Sequence, residues 1–151
     1  MIGAGSEDSD GERDCRRVFA FHEAGHAVIG HLLGRTLRAV SVTQHCEFEP
    51  LGKKWSNADL GNSIKIALAG PHAEVLASHE EVSVGAGGDI ARAKEEAEEL
   101  AGDSWKERLH ELSAASQALV MEHWAEIERV ANRLVKLAGV VSEKDLPALL
   151  K

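Results

Sequence analysis

His22, Glu23 and His26 stand in the order H-E-x-x-H within Phe21-His22-Glu23-Ala24-Gly25-His26-Ala27-Val28. That spacing is a metal-site pattern. Residues four apart on a helix lie about one turn apart on the same face. Two imidazoles so placed can converge on one ion at Zn–N distances of about 2.0–2.1 Å. Glu23 is turned by about 100° from His22, which sets it beside the ion rather than on it. A carboxylate there can take a proton from a water that the metal activates. The predicted chemistry is hydrolysis, with one zinc ion per chain as cofactor and Glu23 as general base. Against it stands accidental spacing, because the bare motif also occurs without metal. The setting favours the metal: Val18, Phe19, Phe21, Val28, Ile29, Leu32 and Leu33 make the helix apolar, and polar groups buried there without partners are costly.

Catalytic zinc takes three protein ligands and keeps a position open. Asp89 is the best candidate for the third, since it follows the Gly85–Gly88 run and opens a helix. An aspartate there is also an ordinary helix cap. Glu74, on a helix that must pack nearby, is the rival. His31 lies about half a turn off the His22 face and reads as structural or surface. His72, His79, His110 and His123 show no ligand spacing. Cys15 reads as core, and Cys46, following His45 in a loop, has only a weak claim on the cleft.

The elements that position these groups are mostly helical. Apolar residues recur at helical spacing from Asp14 to Leu33, with Gly34 as terminator. Residues 1–13 are acidic, small and glycine-containing, and read as a flexible tail. Leu37 to Thr43 reads as a short strand, an edge to which an extended peptide could add, and 44–56 as irregular. Ser56 and Asp59 have capping-box spacing at the start of a helix predicted to run to Ser78, with Pro71 expected to kink or divide it. Residues 83–88 are too glycine-rich for a helix interior, and Asp89 opens the next helix, to about Leu100. Further helices are predicted over 104–112, 115–138 and 143–150, the last capped by Ser142 with Asp145. Trp124, Ile127, Leu134 and Leu137 form a core stripe.

The stretches HEAGHAVIGHLLG, RAVSVT, IALAGPHAEV, SVGAGGDIARA and HWAEIERVANRLVKLAGVVSEKDLPALL together resemble the peptidase domain of the FtsH-type zinc proteases. The resemblance covers residues 14–151 and implies a mainly α, single helical zinc-metallopeptidase domain with a small β element. It implies His22, His26 and Asp89 as zinc ligands and Glu23 as the base. The chain departs from the family pattern in three places. Gly87-Gly88 replace the usual Ser-Asn before the aspartate, Pro71-His72 replace Arg-Ala, and the paired glutamates are reduced to Glu74 beside Val75. Glu74 could still orient a ligand histidine.

The chain shows no G-x-x-x-x-G-K-[ST] phosphate loop, so the ATPase module of FtsH-type proteins is not in it. The expected substrates are peptides and unfolded proteins, cleaved without ATP, with a separate ATPase as the partner that folded substrates would require. A non-catalytic zinc-binding domain that keeps the fold is the alternative. The net charge of -8 across 151 residues argues against nucleic acid and anionic membrane as partners. No secretory leader or membrane-length apolar run is visible. Two cysteines make no disulfide framework, and the expectation is a cytoplasmic protein. The chain has no tyrosine, so no phenol can serve as oxyanion donor.

Overall fold

A computed structural model describes residues 2–42, 45–79, 87–137 and 140–151, with backbone alone for 2–14 and 137. Helix α1 spans Ile2–Leu32, so the helix predicted from Asp14 is continued upstream through residues 2–13. No proline interrupts that stretch. The helix closes at Gly34 and Arg35, whose N–H groups bond to the carbonyls of His31 and Gly30 at 3.1 and 2.9 Å. Both bonds satisfy carbonyls that a helix end leaves over.

Two strands follow, β1 (Leu37–Ser41) and β2 (His45–Phe48). They pair antiparallel, with Leu37 opposite Phe48 and Ser41 opposite His45. β2 falls in the stretch predicted as irregular. It is a four-residue strand whose alternation, Cys46 and Phe48 inward and His45 and Glu47 outward, is too short to stand out. Its presence changes which strand is the edge. The other side of β1 is bridged by Val141: Val40 and Val141 exchange N–H···O bonds of 2.8 and 2.9 Å. β1 is therefore flanked on both sides, and among the described residues β2 is the strand with an open edge.

Helix α2 (Asn57–Ser78) begins with the predicted box: Asp59 N–H bonds to Ser56 Oγ and Ser56 N–H to the Asp59 carboxylate. It runs through Pro71 as one element rather than being divided there. α2 is rich in small residues where it crosses α1. A Cβ on Gly25 would lie 2.6 Å from the Ala69 carbonyl oxygen and 2.8 Å from the Ala73 Cβ. Only glycine permits the two helix backbones to come this close, and the crossing holds the His22–His26 face against α2.

Helix α3 (Gly87–Ala101) starts two residues ahead of Asp89. α4 (Trp105–Glu122) and α5 (Trp124–Leu137) follow a 3-10 turn at Gly102–Ser104. The helix break predicted at 112–115 falls instead at His123. Ser113-Ala114-Ala115 contains no breaker, and that part of α4 is tied to α2 by Ser116 Oγ–H to the Lys65 carbonyl at 2.7 Å. At the true break His123 Nδ1 meets Glu126 Oε2 at 2.6 Å. The chain ends in a 3-10 turn (Glu143–Asp145) with the predicted Ser142–Asp145 box, and α6 (Leu146–Leu149).

The main core joins α1, α5, β1 and the C-terminal segment through Phe21, Val28, Ile29, Val40, Ile127, Leu134 and Leu146. The predicted stripe is seen in Ile127 and Leu134, and in Trp124, which stacks on Phe21 at 5.0 Å. The Leu137 side chain lies outside the described residues. A smaller cluster of Ile64, Ala67, Leu68, Ala93 and Ala97 seats α3 on α2. The chain is thus mainly helical with a small antiparallel sheet. No described helix is long and apolar enough to cross a membrane.

Candidate metal centre

Three elements converge on one point. α1 supplies His22, Glu23 and His26, which are 5%, 6% and 8% exposed. α2 presents Ile66, Gly70 and Glu74 at four-residue intervals, so they share the face turned to the two histidines. α3 brings Asp89 in its first turn, where the helix dipole favours a negative charge.

The bonds to α2 set the state of the imidazoles. His26 Nδ1 lies 2.7 Å from the Ile66 carbonyl oxygen. A carbonyl only accepts, so Nδ1 carries the proton and a neutral His26 has its lone pair on Nε2. His22 Nδ1 lies 3.0 Å from Glu74 Oε1, and donation to that carboxylate leaves the lone pair of His22 on Nε2 as well. The two Nε2 atoms are 3.2 Å apart, and Asp89 Oδ2 lies 2.8 Å from the first and 3.1 Å from the second. Three electron-pair donors therefore crowd one point. Ligands arranged tetrahedrally at zinc distances are separated by about 3.3–3.4 Å. Among the described residues, His22, His26 and Asp89 are the group that could hold a metal ion.

Electrostatics gives the same picture. Burial alone would raise the Asp89 carboxyl, but the bonds from His22 and His26 hold it well below the usual carboxylate range. Burial would lower His22, yet Asp89, with Glu23 and Glu74 behind it, raises it above the ordinary value. Three carboxylates around two buried imidazoles draw a positive charge. A proton meets that demand at one atom, and a divalent cation meets it at three.

The structure separates the two candidate carboxylates. Asp89 faces the Nε2 atoms, whereas Glu74, 3% exposed, sits behind His22 as its orienting partner. Gly70 was not legible as a site residue. A Cβ there would lie 2.3 Å from His26 Nε2 and 2.5 Å from its Cε1, so the imidazole occupies the room that glycine leaves. Gly70→Ala is expected to push His26 out of line, lose metal, and cost about 1–3 kcal/mol of stability. Metal analysis and thermal melts check this, and full metal content in the variant would disprove the tight fit.

Glu23 points into a cleft of about 370 Å³ bounded by Phe19, Val42, His45 and Cys46 together with the three convergent residues. Its Oε1 is 3.4 Å from Nδ1 of His45, whose side chain is exposed. His45 and Cys46 thus reach the cleft on β2, as the open-edged strand rather than a loop. Burial pushes the Cys46 thiol well up, and the Glu23 and Asp89 carboxylates add to the shift, so Cys46 stays protonated and contributes no nucleophile. His31 instead clamps the C-terminal turn: Nδ1 meets Glu143 Oε1 at 2.8 Å, and Glu143 Oε2 accepts the Leu37 N–H at 3.0 Å. Cys15 is exposed rather than core. Against the models of known protein families and against the curated proteins, the chain returns no match.

Proposed function

We propose that this chain is a zinc-dependent endopeptidase of the FtsH-type peptidase class, acting on flexible polypeptides. The carrying observation is the convergence of His22 Nε2, His26 Nε2 and Asp89 Oδ2, with both imidazoles oriented from behind and Glu23 alongside. A divalent ion held there would supply Lewis-acid polarisation of a carbonyl and acidify water. Glu23 does the proton work: it accepts a proton from the attacking water and returns it to the leaving amine. Glu74 and the Ile66 carbonyl keep both histidines in the tautomer that offers Nε2. The open edge of β2 borders the cleft and suits an extended segment, which can add to a sheet edge by backbone hydrogen bonds. Such a segment comes from unfolded chains at no unfolding cost, and folded ones would have to be opened by an ATPase before they could reach the cleft.

The test is hydrolysis of an unfolded casein-type substrate by the purified chain, abolished by a chelator and restored by zinc. Two variants sharpen it. Asp89→Ala is expected to cost more zinc affinity than Glu74→Ala, whose role behind His22 predicts a loss of about 10–100-fold. Zinc titrations decide, and the reverse order would make Glu74 the ligand.

A further inference from the structure

On the far side of the metal centre a second cavity, of about 470 Å³, shares His26, Cys46 and Asp89 with the cleft. The two form one groove through the site. They differ in character: the Glu23 side has Phe19 and Val42 in its wall, and the far side has Arg35, Arg38 and Arg92.

The three arginines are not equivalent. Arg38 is spent on Glu49, with bonds of 3.2 and 3.1 Å to its two carboxylate oxygens. Arg92 has Glu96 at 3.7 Å. Arg35 has no carboxylate partner among the described residues. Its Nη2 donates to the Glu49 backbone carbonyl at 3.1 Å, and its Nε is buried with no partner. The guanidinium is held over the rings of Phe48 and Trp55 at 5.4 and 5.7 Å, which fixes its position. Burial, and then the charge of Arg92, hold its pKa below the ordinary value against the smaller opposing pull of Asp59 and Glu96, so the carboxylates around it do not offset its charge in full. Apart from Asp89, which faces the histidines, the acidic residue in this wall is Glu47, exposed on β2.

We infer that Arg35, with Arg92 beside it, forms a substrate subsite for a carboxylate next to the scissile bond, either an Asp or Glu side chain or the C-terminal carboxylate of a peptide. This rests on the peptidase reading for its meaning but not for its measurement. A planar guanidinium fixed by stacking suits a carboxylate. The chain's net charge of -8 repels acidic peptides in general, so a preference for them would have to come from this pocket.

The experiment measures binding apart from cleavage. Fluorescein-labelled peptides of one sequence carry, near the centre, Glu with an amidated C-terminus, Gln with an amidated C-terminus, Gln with a free C-terminus, or Lys. Their affinities for the Glu23→Gln chain are read by anisotropy, with and without zinc. The internal Glu peptide, the free-acid peptide, or both are expected to bind about tenfold tighter than the Gln amide. Which of the two does so identifies the source of the carboxylate. Arg35→Met should remove the discrimination and Arg35→Lys should keep part of it. If Arg35→Met loses its fold by circular dichroism, the contrast among peptides and the Lys variant still decide. Equal affinities across the series, or discrimination untouched in a folded Arg35→Met, would overturn the subsite. Tight binding of the acidic peptide without cleavage by the zinc-loaded wild type would instead overturn the peptidase reading and leave the subsite standing. Cleavage with no charge preference would do the opposite.

Discussion

Glu23→Gln is expected to bind zinc as the wild type does and to hydrolyse peptides about 10²–10⁴-fold more slowly, the usual worth of a positioned general base. The substitution keeps the side-chain volume in a place only 6% exposed, so packing is preserved. It removes the proton acceptor and nothing that faces the Nε2 atoms. Peptide hydrolysis and zinc titration on the same preparation check the two halves together. Unchanged activity would place the hydrolysis elsewhere, and lost zinc would make Glu23 part of the ligand set. The separation is informative because Glu23 and His22 are sequence neighbours with different roles. One turns its side chain to the cleft and the other to Asp89.

His22→Ala is expected to abolish both zinc binding and activity. In the wild type, free zinc at about 1,000 times its dissociation constant stabilises the fold by about 4 kcal/mol. For a chain of this size that is a rise in melting temperature on the order of 10 °C. His22→Ala should show no such rise, and it should also leave Glu74 buried without the imidazole it orients. Thermal melts with and without zinc measure both effects. A wild-type melting temperature indifferent to zinc would remove the metal from the assignment.

The parts of this site that could be read in the sequence are those that local geometry determines. His22, Glu23 and His26 needed only the helical period. The Ser56–Asp59 and Ser142–Asp145 boxes needed only a three-residue spacing. Asp89 is 63 residues from His26, and the sequence made it the best candidate while keeping Glu74 as a rival. Choosing between them took a family resemblance in the sequence and the facing of two side chains in the structure. Gly70 and the Ile66 carbonyl were illegible for a different reason. Their roles exist only where α2 crosses α1, and a backbone acceptor leaves no trace in residue type. β2 was missed because four residues with polar outward positions carry almost no periodic signal. The same omission made β1 look like the open edge, since the pairing of Val40 with Val141 joins segments far apart in the chain. Arg35 was silent as well, because an arginine without a carboxylate partner looks like any other until its neighbours are placed.

Asp89 arrives on α3, whereas the histidines arrive on α1. Asp89 is not joined to the histidines by any short stretch of chain, and α3 rests on α2 through the small cluster of Ile64, Ala67, Leu68, Ala93 and Ala97. An ion gripped by His22, His26 and Asp89 would therefore act as a cross-link between the first and third helices, closing the chain between residues 26 and 89 into a loop. Cross-links over long loops stabilise chiefly by restricting the unfolded chain. The ion that serves the chemistry would then also be the fastening that keeps α3 docked, so that losing it would loosen the groove wall carrying Asp89 and Arg92 before it disturbed the α1–α2 crossing.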